Sequence, residues 1–228
     1  MAASALPPLT LYSARICPWA QRTTLALCEV GAYENGQVEH VEIDLQNKPE
    51  WYASKVNPAS KVPVLQIGKE GEPNTKYIPE SGPADPIERA EARYFAERFT
   101  QVVTGPLMAI AYRGEDKSAD VLKGVEEIQT LLAKHDGTFL LGEQISIGDL
   151  AVAPFVGRVF ANGKGGLIPS DLYNTLNTDA KYAPFKAYRD ALVSRPSWAA
   201  TFDEDYVIHY SRKRIEKMRA EAAAQKQQ

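Results

Sequence analysis

Near residue 82 the sequence changes its period. Before that point it is built of short β-prone stretches separated by turns. "PLTLYSA" (8–14) alternates and reads as a first strand. Pro18 then stands where a helix can start, "WAQRTTLALCEVGA" has helical composition, and Gly31 can end it. "QVEHVEIDL" (37–45) reads as a second strand and "KPEWYASKV" as a short helix or turn. "KVPVLQIG" (61–68) is a strand interrupted by Pro63, and "TKYIPES" (75–81) is a short strand after the Gly-rich "GKEGEPN".

Beyond residue 82 the apolar residues fall at helical spacing. In "SGPADPIERAEARYFAERF", Asp85 can cap, Pro86 takes the first helical position and Glu88 follows three residues after the cap. One helix is expected from there to about residue 113, and another from 118 to about 135. A third opens at "SIGDLAVAPF", where Ser146 and Asp149 have capping-box spacing. Helical signal returns in "DAKYAPFKAYRDALVSRP" and near the C-terminus, whose tail is polar and expected to fray. No internal repeat stands out. The chain therefore reads as an α/β piece followed by an all-α piece, 1–82 and 83–228.

Composition narrows the function classes. Lysine plus arginine number 26 and aspartate plus glutamate 29, so no basic excess points to nucleic acid. No apolar run approaches the roughly 20 residues of a membrane span. "MAASALPPLTLY" has neither a charged start nor an apolar signal core, and reads as a mature cytoplasmic start. His40, His135 and His209 are scattered without metal-ligand spacing, so no metal is expected and they read as surface positions.

The two cysteines, Cys17 and Cys28, bear on chemistry. On one helix they would lie about 16 Å apart along the axis. A disulfide needs Cα atoms within about 7 Å, so they should not pair, which suits a reducing compartment. Cys17, in "SARICPWAQR", falls at a helix start, where backbone N–H groups and the helix dipole favour an anion. Cysteines so placed can have thiol pKa values lowered to about 3.5–7.5. The fourth residue of the motif is Ala20, not cysteine, so a mixed disulfide at Cys17 would need an external thiol to resolve it. An inert, half-buried cysteine fits this stretch equally well. Cys28, among Leu25, Leu27 and Val30, reads as core packing.

Two later stretches suit a peptide-like thiol. A cis bond at Val62–Pro63 would leave the Val62 backbone exposed to pair with an extended ligand; an edge strand with a trans proline is the alternative. In "PES", Glu80 and Ser81 suit the ammonium and carboxylate of an α-amino acid, though a plain turn explains them as well.

Together, "SARICPWAQR", "NPASKVPVL", "PES" and "FLLGEQISIGDLAVAPF" resemble the cytosolic glutathione transferases. The cysteine form of the first motif is similar to omega-like, fungal-looking members. The resemblance spans about 9 to about 215. It implies a thioredoxin-like N-terminal domain, an α-helical C-terminal domain and a homodimer. It also implies glutathione as cosubstrate, with no permanently bound cofactor. By that likeness, Cys17 forms a mixed disulfide with glutathione, Val62 before Pro63 pairs with its cysteinyl backbone, and Glu80 and Ser81 hold its γ-glutamyl end. Lys61 and Trp19 would line the site. Tyr112 and Phe155 would face a small hydrophobic or glutathionylated acceptor. Ser146 and Asp149 match a helix-capping motif of the family, a folding feature. The implied activity is glutathione-dependent thiol transfer in detoxification. Conjugation through Ser13 or Tyr12 is an alternative, and so is ligand binding without turnover.

One departure stands out. The family's "ES" pair opens a helix, and a linker follows. In this chain "PES" leads straight into "GPADPIERA". Two prolines and a glycine within "SGPADP" prevent a helix there. "PESG" can also align with the end of the lost linker, which would take Ser81 out of the site. Weaker glutathione binding, lower stability or both are expected, and tight affinity by calorimetry would contradict this.

Overall fold

The computed structural model describes residues 8–33, 35–68, 76–77 and 85–225. The chain divides into two compact units, Met1–Ser81 and Gly82–Gln228.

The first unit contains β1 (Leu9–Ser13), α1 (Pro18–Glu29), β2 (Val38–Glu42), α2 (Glu50–Lys55), β3 (Val64–Ile67) and β4 (Lys76–Tyr77). They form a four-stranded sheet in the order β2-β1-β3-β4. β1 runs parallel to β2, as the α1 crossover between them requires. It runs antiparallel to β3, with Tyr12 opposite Val64. β4 is antiparallel to β3, with Gln66 opposite Tyr77. The alternation in "LTLYS" becomes alternating burial: Leu9, Leu11 and Ser13 face inward.

Proline sets one boundary differently from the sequence expectation. β3 starts at Val64 rather than Lys61, because Pro63 has no N–H to give a ladder. The Val62–Pro63 peptide is cis. α1 buries Ala20, Gln21 and Leu25. Cys28 is only half-buried, which corrects its reading as a core residue. It lies on the same helix face as Gln21 and Leu25 but in the last turn of α1, where burial falls away. Glu80, Ser81 and the segment where a helix was expected to be missing lie outside the described residues; the next described element after β4 begins at Pro86.

The second unit is helical throughout. α3 (Pro86–Phe99) is capped by Asp85, whose Oδ1 accepts from the N–H groups of Ile87 and Glu88. The expected helix to residue 113 exists, but not as one α-helix. It widens to π winding at Thr100–Thr104, returns to α4 (Gly105–Met108) and widens again at Ala109–Arg113. Pro106 explains the first widening. It has no N–H for the Val102 carbonyl four residues back, and its ring crowds that carbonyl. α5 (Ser118–Leu132) comes down on the same carbonyl at Gly124, where a Cβ would lie 2.1 Å from the Val102 oxygen. Gly114, at φ +67°, ends the stretch, and Arg219 donates to the Ile110 and Ala111 carbonyls.

α6 (Ile147–Lys164) is the central helix, buried on nearly every side from Gly148 to Ala161. The expected capping box is present at Ser146 and Asp149. Asp149 is wholly buried and accepts four hydrogen bonds. They come from the Leu140 N–H at 3.0 Å, the Ser146 N–H at 2.8 Å, the Ser146 hydroxyl at 2.6 Å and the Tyr188 hydroxyl at 2.7 Å. The unit closes with α7 (Ser170–Thr178), α8 (Ala183–Val193), α9 (Pro196–Thr201) and α10 (Glu204–Gln225). Among the described residues no helix is long and apolar enough to cross a membrane.

Candidate active site

The antiparallel pairing of β1 with β3 decides which loops meet. β1 ends at Ser13 and β3 begins at Val64, with Tyr12 opposite Val64. The turn 14–17 and the segment 61–63 therefore leave the sheet at the same end. β4 runs antiparallel to β3, so its direction is toward that end too. Cys17 and the Val62–Pro63 peptide, 45 positions apart in the sequence, share one end of the sheet for this reason.

The Cys17 turn is tied at both sides. The Cys17 N–H donates to the Ala14 carbonyl at 2.9 Å, and the Cys17 carbonyl accepts from Gln21 at 3.0 Å. The Arg15 N–H donates to Glu42 Oε1 at 2.9 Å, anchoring the turn to the end of β2. Cys17 is the N-cap of α1, with extended backbone, and its side chain makes no capping hydrogen bond. Pro18 at the first helical position has no N–H, so Trp19 and Ala20 supply the first-turn donors. The thiol is half-buried, and no disulfide joins it to Cys28. Trp19 is 41% exposed, with the Arg22 guanidinium 5.8 Å from its ring centroid.

Before Val62 the chain makes a turn held by side chains that sequence reading did not single out. The Ala59 N–H donates to Asn57 Oδ1, and the Ser60 N–H to the Asn57 carbonyl. Ser60 takes φ +51°, a left-handed conformation uncommon for a residue with a Cβ. The Ser60 carbonyl accepts from Lys48 Nζ. The Lys61 carbonyl accepts from the Tyr52 hydroxyl at 2.8 Å and from Asn57 Nδ2 at 2.9 Å. The Lys61 side chain itself is exposed. Tyr52 is fully buried against Tyr12 and Trp51, with ring centroids 6.1 and 6.0 Å away. Burial first, then the Tyr12 charge, pushes its pKa up to about 12. It therefore stays a donor at neutral pH. The "NP" pair at 57–58 marks the turn in the sequence, but nothing local says which carbonyl Asn57 or Tyr52 will meet.

The remaining candidates are placed as follows. Ser13 is 2% exposed, and its carbonyl accepts from the Ile43 N–H. The Tyr12 hydroxyl donates to Gln66 Oε1 at 3.1 Å. In the helical unit, Phe155 is 7% exposed and packed in the core, while Tyr112 is half-buried under the Arg214 guanidinium, 5.6 Å from its ring centroid. That unit also carries a groove of about 930 Å³ floored by Ile110, Leu167, Ile168, Leu172 and Ile215; neither Tyr112 nor Phe155 lines it. Two of the histidines are engaged. His135 Nε2 lies 2.9 Å from Glu91 Oε2, and His40 lies 3.3 Å from the Tyr33 hydroxyl. Among the described residues no three His, Cys, Asp or Glu side chains are grouped to hold a metal ion.

Comparison with known proteins gives a consistent result. Residues 11–97 match the family described as Glutathione S-transferase, N-terminal domain, and residues 112–191 match Glutathione S-transferase, C-terminal domain. The crystal structure of glutathione transferase Omega 1C from Trametes versicolor is 32% identical, with a TM-score of 0.81 over 93% of this chain and 98% of that one. Glutathione S-transferase omega-1 from Sus scrofa is 30% identical over 67% of this chain and 68% of its own length. Protein IN2-1 homolog B from Oryza sativa subsp. indica is 33% identical over 67% of this chain; the match spans 66% of that protein, just under two thirds.

Proposed function

The chain belongs to the glutathione transferase family, and on that premise we propose that it transfers thiols between glutathione and a glutathionylated or small hydrophobic acceptor, with Cys17 as nucleophile. The observation that carries this reading is the position of Cys17: a half-buried N-cap thiol at the same sheet end as Val62–Pro63. The omega-class relatives favour the same choice. Ser13, the alternative for conjugation, has its side chain buried, which argues against it as the activating hydroxyl.

The reaction balances as two exchanges. The Cys17 thiolate attacks the glutathionyl sulfur of a mixed disulfide. A Cys17–glutathione disulfide forms, the original S–S bond breaks, and the acceptor leaves as a thiolate that takes up a proton. The thiolate of a second glutathione then attacks the glutathionyl sulfur on Cys17. Oxidised glutathione forms and the Cys17 thiolate is restored. One disulfide breaks and one forms overall: the acceptor sulfur goes from disulfide to thiol, and the sulfur of the second glutathione goes from thiol to disulfide. Ala20 cannot act as a resolving thiol, so the external one is required.

In the same proposal residues 1–82 bind glutathione, through the Val62 backbone with Pro63, Lys61 and Trp19 beside it and through Glu80 and Ser81. Residues 83–228 carry the acceptor side, the working protein is a homodimer, and the reaction takes place in the reducing cytoplasm. The test is mass spectrometry after exposure to oxidised glutathione. An adduct of one glutathione on Cys17, reversed by reduced glutathione, is expected. Cys17→Ser should lose both the adduct and glutathione-dependent disulfide reduction. Unchanged turnover in that variant refutes the assignment.

A further inference from the structure

We propose that Tyr52 and Asn57 are positioning residues that aim the Val62 N–H at the backbone of the bound tripeptide. This rests on the reading of Val62 as a glutathione contact and names the side chains that make it one.

The argument is geometric. The Lys61 carbonyl and the Val62 N–H belong to one planar trans peptide unit, so they point in opposite directions. Whatever holds the Lys61 oxygen therefore sets the direction of the Val62 N–H. Two donors converge on that oxygen, the Tyr52 hydroxyl at 2.8 Å and Asn57 Nδ2 at 2.9 Å. They come from different directions. Tyr52 rises from α2, fully buried and wedged between Tyr12 and Trp51. Asn57 reaches from its own turn, where its Oδ1 is already occupied by the Ala59 N–H. One donor would leave the peptide unit free to swing about the bond; two fix it. Val62 lies outside the ladder, which ends at the Tyr12–Val64 pair, so the sheet does not orient it. The preceding carbonyl, at Ser60, is held separately by Lys48. A ligand that pairs with a pre-aimed N–H does not have to order the loop as it binds.

The test uses two substitutions that each remove one donor to the Lys61 oxygen; Asn57→Asp also adds a negative charge there. Tyr52→Phe keeps the buried ring. Asn57→Asp keeps the Oδ1 acceptor for Ala59 and puts an acceptor where Nδ2 stood. Asn57 is half-buried on the loop, so that variant should fold even if a change at Tyr52 does not. Three quantities are read: the dissociation constant of reduced glutathione by calorimetry, KM and kcat for reduction of a glutathionyl disulfide, and the rate at which 2,2′-dithiodipyridine labels Cys17. That reagent is a disulfide without a peptide backbone, so it does not use Val62. Each variant should weaken glutathione binding and raise its KM by about three- to tenfold, the range for one lost hydrogen bond. Their kcat should stay within about twofold and the labelling rate should not change. The inference is overturned if wild type binds glutathione and both variants bind it equally well. It is also overturned if labelling slows in step with affinity, because the loop would then be supporting the whole site. If wild type takes no glutathione at all, the reading of the site fails first, and this inference falls with it.

Discussion

Asp149→Asn tests the four-donor site at the head of α6. The carboxylate has two oxygens, each taking two donors: Leu140 N–H and Tyr188 O–H on Oδ1, Ser146 N–H and O–H on Oδ2. An amide offers one oxygen and one NH2. The less costly orientation puts NH2 at the Oδ2 position, because the Ser146 hydroxyl can turn and accept from it. The Ser146 N–H then faces a donor and is left buried without a partner. The Leu140 and Tyr188 bonds persist but lose their charge assistance. An unsatisfied buried donor costs about 1–3 kcal/mol, and a bond to a charged group exceeds a neutral one by about 1 kcal/mol, so the total is about 3–5 kcal/mol. Tyr188→Phe, which deletes one donor and leaves the carboxylate satisfied by three, should cost about 1.5–3 kcal/mol. Urea denaturation followed by far-ultraviolet circular dichroism measures both, as a fall in midpoint at constant slope. A loss below about 1 kcal/mol for Asp149→Asn would mean that the four bonds are not worth their geometry and that the site is not a stability element.

Two further outcomes are expected. Gly124→Ala places a Cβ 2.1 Å from the Val102 carbonyl oxygen, so α5 must retreat from the widened turn; the cost should be at least the 1–3 kcal/mol of an overpacked core, seen as a lower thermal midpoint. Tyr33 and Tyr52 are both pushed up to about 12, by burial first, then by Cys28 and Glu42 for Tyr33 and by Tyr12 for Tyr52. Their folded pKa values exceed the unfolded value near 10. The native state therefore holds these protons more tightly, and their stabilising contribution is complete below about pH 10 and lost as pH rises toward about 12. Urea midpoints measured from pH 9 to 11.5 should fall, and Tyr52→Phe should flatten part of that fall relative to wild type.

Much of the fold could be read locally. A strand reads from alternation, and "LTLYS" does alternate. A helix start reads from a first-turn proline, present at Pro18 and Pro86, and at the second also from the capping Asp85. The capping box at Ser146 and Asp149 shows in its spacing because both partners lie within one turn. These signals involve neighbours in sequence, where backbone geometry fixes distance.

Other features escaped for the opposite reason. α6 shows no clear polar face, so its facing could not be assigned from period; it is the helix on which the others pack. Phe155 belongs to that core. Cys28 sits among apolar neighbours and on the buried face of α1, and yet is only half-buried because it lies in the helix's last turn. Pro106 signals a disturbance in its helix. Whether that becomes a kink, a break or π winding depends on Gly124 of α5 reaching the carbonyl that proline disturbs.

By itself, then, the sequence determined the two-part architecture, the helix starts, the position of Cys17 at one of them and the family. All of these rest on contacts within a turn or two, or on motifs in fixed order. Tertiary structure alone decided that Cys17 and Val62 share one end of a sheet, that Tyr52 and Asn57 converge on the Lys61 oxygen, and that Tyr188 closes the shell around Asp149. Those contacts join residues whose separation in the chain carries no distance information, and only strand register and helix packing bring them within reach of a hydrogen bond.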